Sequence, residues 1–225
     1  MNTTLGRRLV AETVATSMLL AAVVGSGIMA ERLAGGNVAI ALLANTIATG
    51  AALVALILTF GPVSGAHLNP VVTLSFVTRE NLRESIGYVF AQVCGAVAGV
   101  TLANIMFSLS PVSFSRHERA GPAQLFSEVV ATFGLVLVIQ LCAKFQPRMI
   151  AFAVGAYITA AYWFTASTSF ANPAVTLARS LSDTFTGIRP IDVPAFILAE
   201  LAGAAIAVLL FRWLIPNSLE VTSND

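Results

Sequence analysis

Six runs of roughly twenty apolar residues dominate this chain, at about 9–30, 38–60, 85–108, 123–145, 149–168 and 192–214. A helix rises about 1.5 Å per residue, so about 20 apolar residues cover a hydrocarbon core of about 30 Å. The rest of the composition agrees. Charged residues are 10% of the 225 and hydrophobic ones 57%, with a mean hydropathy of +0.85, whereas soluble domains carry about 25% charged residues. The formal net charge of +1 and the lack of a basic tail give no electrostatic footprint for nucleic acid. Arg7 and Arg8 precede the first run as they would in a signal peptide, but Leu9 to Ala30 is too long for one and is read as a span. Cys94 and Cys142 lie inside apolar stretches and read as small packing residues rather than a disulfide or metal pair.

Two further apolar segments, 69–78 and 172–180, are too short to cross. Each opens on Asn-Pro, where asparagine caps a helix and proline suits its first turn. Both read as half-helices that begin within the bilayer. The two halves of the chain also repeat. Leu9-Val-Ala-Glu12 through Thr16 returns as Leu125-Phe-Ser-Glu128 through Thr132, and Asn69-Pro-Val-Val72-Thr73-Leu74 returns as Asn172-Pro-Ala-Val175-Thr176-Leu177. Ala91-Gln92 with Gly95-Ala96 is echoed by Ala199-Glu200 with Gly203-Ala204. Each copy holds three spans, an odd number, so the copies run in opposite directions. Inverted repeats with broken helices are a transport architecture.

Opposed half-helices bring two N-termini together at the midplane, each carrying about half a positive charge. Such ends repel cations, a barrier generally described for aquaporin-type pores. Asn69 and Asn172 can then offer amide N–H groups to a permeating oxygen; the alternative is simple capping in a buried loop. At these residues the chain resembles the aquaporin, or major intrinsic protein, family. Ser64-Gly-Ala-His67-Leu-Asn69-Pro70-Val71 is similar to the family's first signature loop, and Asn172-Pro173-Ala174 to its second. The resemblance implies an all-α membrane protein of aquaporin-like fold, with six transmembrane helices and two re-entrant half-helices. The expectation is a single channel domain over 1–225, with inverted halves at about 1–110 and 120–216 and a disordered tail at 217–225. It also implies a homotetramer, no cofactor and no bound metal. Glu12, Glu128 and His67 match positions that hydrogen-bond the re-entrant loops, so they read as scaffold. Gly95 and Gly99 suit a close helix crossing.

The family's narrowest point carries an arginine three residues after the second motif asparagine, and here that position is Val175. By the family's usual offsets the other filter positions fall on Thr49, Ala160 and Ser169. Such a filter is non-aromatic, uncharged and wide. It suits small neutral solutes such as glycerol, urea or metalloid hydroxides like arsenite, as in bacterial members that lack the arginine. Arg179 follows one turn later on the face of Val175, either moving the positive charge to the outer vestibule or snorkelling to headgroups. With the N-terminus cytoplasmic, seven of the twelve Lys and Arg residues fall inside, which gives a multi-pass protein of a cell membrane, in a bacterium the inner one. The rival function is an ion-coupled secondary transporter. Two histidines and no clustered nucleophile leave little for an enzyme.

Overall fold

The computed structural model describes residues 3–216, so the tail expected to be disordered lies outside the described residues. Eight α-helices follow in order among them: α1 (Leu5–Leu33), α2 (Val38–Ser64), α3 (Pro70–Ser75), α4 (Leu82–Met106), α5 (Pro122–Phe145), α6 (Ile150–Phe164), α7 (Pro173–Arg179) and α8 (Val193–Leu214). Five of them, α1, α2, α4, α5 and α8, are long and apolar enough to cross a membrane. The sixth expected span is shorter than 149–168. Helix α6 stops after 15 residues, about 23 Å of helix, with a 3₁₀ turn at Pro147–Met149 ahead of it. Its end has a local cause: Thr165 is extended, at φ −113° and ψ 138°, and starts the approach to the second Asn-Pro.

The asparagines start the half-helices as capping chemistry requires. Asn69 Oδ1 accepts from Val71 N at 3.0 Å, and Asn172 Oδ1 from Ala174 N at 3.0 Å and Val175 N at 3.3 Å. Pro70 and Pro173 fill the first helical position, where no N–H is needed.

Lipid supplies no hydrophobic drive between helices, so close approach of backbones must hold the bundle together. Helix α1 packs on α2 and α4, α5 packs on α6 and α8, and α2 meets α6 between the halves. A Cβ on Gly95 would lie 2.3 Å from Thr13 O, and one on Gly99 2.2 Å from Ser17 O. In the other half a Cβ on Gly203 would lie 2.4 Å from Val129 O. At the junction, a Cβ on Gly155 would lie 2.9 Å from Gly50 O. These contacts are the expected small-residue crossings, repeated in both halves.

The starts of α1 and α4 share one side, tied by an Arg8–Glu84 ion pair; this is the near side. Their ends share the far side, where Arg32 Nη2 donates to Phe107 O at 3.0 Å. Helix α3 enters from the near side and α7 from the far side, and each packs against both α4 and α8.

Candidate functional site

Both approaches to Asn-Pro contain left-handed residues: Ala66 (φ 47°) and Leu68 (φ 51°) in one, Thr168 (φ 61°), Ser169 (φ 51°) and Ala171 (φ 47°) in the other. Each such residue costs about 1–3 kcal/mol. Buried carboxyl groups offset the cost. Glu12, with no exposed surface, accepts from His67 N at 3.0 Å, Leu68 N at 2.8 Å, Ser64 Oγ at 2.7 Å and Gln92 Nε2 at 2.8 Å. Glu128 accepts from Phe170 N at 2.9 Å and Ala171 N at 2.8 Å. Glu200 takes Asn172 N at 3.1 Å and Thr176 Oγ1 at 2.6 Å. With these N–H groups drawn outward, the loop backbone can turn its carbonyls inward. Glu12 and Glu128 thus hold the backbone of the two approach loops.

A cavity of about 250 Å³ runs past both loops, from Ala143 and Ile150 toward Tyr162 and Arg179. Asn69 and Asn172 line it together. Each amide crosses to the opposite half, Asn69 Nδ2 donating to Ala171 O at 2.7 Å and Asn172 Nδ2 to Leu68 O at 2.8 Å. An amide NH₂ has two donors, so each asparagine keeps one N–H for the cavity while its oxygen stays on the backbone. His67 lines the near part; its Nδ1 meets Thr73 Oγ1 at 3.1 Å.

Of the four residues expected at the constriction, Thr49, Ser169 and Val175 line the cavity and Ala160 does not. Ala160 is exposed on the outer face of α6. The inward face of that helix carries Val154, Ile158 and Tyr162 at intervals of one turn, and two residues turn a helix by about 200°, away from that face. Tyr162 takes the place assigned to Ala160, with its hydroxyl 3.3 Å from Thr49 Oγ1. The expectation of four non-aromatic residues at the constriction is corrected accordingly, and Phe170 lines the cavity as well.

Arg179 also departs from one of its two expected readings. At 2% exposure it does not reach for headgroups. Helical side chains lean toward their own N-terminus, so this one reaches back over the turn holding Val175. Its guanidinium carbon lies 3.5 Å from the Phe170 ring centroid, and Nε donates to Thr186 O. The residue lines the same cavity as Val175.

The paired half-helices, crossed asparagines and shared cavity invite comparison with known channels. A family profile described as "Major intrinsic protein" matches residues 1–149. The chain belongs to the major intrinsic protein family. It is 57% identical over 213 residues to the aquaglyceroporin AqpS of Rhizobium meliloti (strain 1021), covering 94% of this chain and 91% of the relative. It is 34% identical to the aquaporin NIP1-4 of Oryza sativa subsp. japonica, over 91% of this chain and 76% of that one. The X-ray structure of the aquaglyceroporin from Plasmodium falciparum superposes with a TM-score of 0.69 at 20% identity, over 95% of this chain and 98% of that one, which supports the fold. As a family member the chain is a membrane channel for small solutes and not an enzyme.

Tyr162 and Phe170 are the residues that sequence reasoning missed; Arg179 was named, with two readings of where its guanidinium goes. A signal existed for each. The one-turn spacing of Val154, Ile158 and Tyr162 marks one face of α6, and the register that pairs Asn69 with Asn172 also pairs His67 with Phe170 and Phe76 with Arg179.

Proposed function

We propose that this chain is a passive aquaglyceroporin-type channel whose far-side constriction is formed by Thr49, Tyr162, Ser169 and Val175, with its positive charge supplied by Arg179. The observation that carries this reading is the Arg179 guanidinium over Phe170 in the cavity wall, one turn beyond the valine that stands where the family has arginine. An arginine on the next turn leaves the Val175 position small while keeping a donor and a cation beside the path. Solutes bulkier than water then pass the valine, and cations are still repelled by the guanidinium and the two half-helix N-termini. The permeants are uncharged and hydroxyl-rich: glycerol-like molecules, metalloid hydroxides such as arsenite, and water. The likeness to an aquaglyceroporin at 57% identity supports this substrate class. The channel works as a homotetramer in a bacterial inner membrane with its near side, and so its N-terminus, cytoplasmic; the bias of Lys and Arg supports that orientation.

Stopped-flow light scattering on reconstituted vesicles, with water, glycerol, urea and arsenite as a panel, tests the reading. Downhill flux of glycerol and arsenite, linear in concentration and indifferent to a proton or sodium gradient, is the expected result. Flux that saturates and follows an imposed ion gradient would make the protein a coupled transporter. Water flux alone would remove the wide constriction.

A further inference from the structure

A second guanidinium lies over the same aromatic ring, contributed by the connection between α4 and α5. Arg119 is 8% exposed, and its guanidinium carbon is 4.8 Å from the Phe170 centroid. Nε donates to Gly187 O at 2.8 Å and Nη1 to Ser167 O at 3.2 Å. The backbone is held too: Arg119 N donates to Asp192 Oδ2 at 2.9 Å, a carboxylate gripped by Arg189 Nε at 3.0 Å. Arg119 is not among the residues that line the cavity. Among the described residues neither Arg119 nor Arg179 has a carboxylate ion-pair partner. Burial pulls the Arg119 pKa down to about 10, which leaves it charged at neutral pH.

The attachment points of Arg119 are informative. Gly187 follows Thr186, whose carbonyl takes Arg179 Nε, so the two guanidiniums hang from consecutive carbonyls and share one ring. Ser167, at the other end of the fork, begins the segment that carries Ser169 and Phe170; its hydroxyl accepts from Ser169 N at 3.3 Å. The segment 184–188 is further wedged in place, because a Cβ on Gly187 would fall 2.2 Å from Ser115 Oγ. A long, flexible arginine arriving from one turn away needs such a seat if it is to hold one geometry, and a planar fork can bind two diverging carbonyls where an ammonium cannot.

We propose that Arg119 is the positioning residue of the far-side constriction: by joining the Ser167 and Gly187 carbonyls it fixes the Thr186 carbonyl and the Phe170 ring against which Arg179 is seated. The proposal rests on Arg179 being the cation of the constriction. A residue outside the conduit thereby sets the solute preference of the conduit through another side chain.

The test is the glycerol-to-water permeability ratio in vesicles holding wild type, Arg179→Gln, Arg119→Gln, Arg119→Lys and the double variant Arg119→Gln/Arg179→Gln. Arg179→Gln is expected to raise the ratio about tenfold, the worth of one charge-assisted hydrogen bond. Arg119→Gln is expected to raise it about threefold, in the range of coupled neighbours, and the double variant to match Arg179→Gln alone. Arg119→Lys keeps the charge but not the fork, so it shifts the ratio as Arg119→Gln does. A double variant in which both shifts multiply, or a lysine variant with the wild-type ratio, overturns the positioning role. Should Arg119→Gln not enter vesicles as folded protein, Arg119→Lys carries the comparison. An unchanged ratio in Arg179→Gln sinks the filter cation and this proposal together. A shift there with none at Arg119 sinks the proposal alone.

Discussion

On the near side of the paired asparagines, the His67 ring lies 5.8 Å from Phe76 and 5.3 Å from Tyr88. On the far side Phe170 stands in the same relation to Arg179, at 3.5 Å, and to Phe196, at 5.3 Å. The two clusters occupy matching places in the inverted repeat, since each central ring is two residues before its motif asparagine. Backbone and anchoring carboxyls are nearly the same in both. All three side chains differ, but His67 opposite Phe170 and Tyr88 opposite Phe196 are rings on both sides, and only at Phe76 and Arg179 does a ring stand opposite a cation. The comparison separates duties: the shared parts build a conduit, and the unshared part makes its two ends chemically different. The carboxyl belts differ more quietly. Gln92 donates to Glu12 in the first half, while Glu200 stands at the matching position beside Glu128.

The symmetric part can be broken in either half with the same result. Gly95→Val and Gly203→Val each drive a side chain into a backbone carbonyl at the helix crossing, and each is expected to cost about 3 kcal/mol or more. Little folded protein should then survive detergent extraction, as read by size-exclusion chromatography. A harmless Gly203→Val would show that the second crossing is not equivalent to the first. Next in size, Glu12→Gln turns one of two oxygens that each accept two hydrogen bonds into an NH₂ donor, and Glu128→Gln one of two that each accept one. Both should lower the thermal midpoint, Glu12→Gln by more, with a loss of about 3 kcal/mol. Equal midpoints would erase that difference between halves.

Function sharpens the contrast further. Val175→Arg adds a second cation beside Arg179 and narrows the path. Glycerol flux should fall about tenfold while water flux persists, a discrimination within reach of one changed pocket contact. Unchanged glycerol flux would remove Val175 from the constriction. The smallest effect belongs to Glu200→Gln, which copies the first half into the second. Glu200 Oε2 is buried without a partner, so an amide there should leave the thermal midpoint within about 0.5 kcal/mol of wild type, or raise it. A large loss would mean that the two belts are built on different principles.

The fold was legible because its strongest determinants are local. Apolar length acts within one helix and the Asn-Pro caps within one turn, while the Glu12/Glu128 repeat shows in the sequence although both carboxyls bond residues far along the chain. The approach to the second motif was less legible, since α6 ends at Phe164 to let the 165–171 segment turn inward. The family's usual offset from Asn172 therefore falls on Ala160, two residues short of Tyr162. Arg179 was placed on the correct face, but nothing local says whether its chain leans toward solvent or back over Phe170. The deciding groups, Phe170 and the Thr186 carbonyl, depend on tertiary structure. Arg119 was hidden for the same reason. Among Arg116, His117 and Glu118 it reads as one more loop charge, and only its burial against the Ser167 and Gly187 carbonyls sets it apart.

The claim that the far end discriminates because its aromatic partner is a cation has a matched control in the molecule itself. The decisive measurement is the glycerol-to-water permeability ratio of Arg179→Gln beside that of Phe76→Leu in the same vesicles. A rise of about tenfold for the first, with less than about a twofold change for the second, is the expected outcome. Equal ratios for both variants, in folded protein that still passes water, would contradict it.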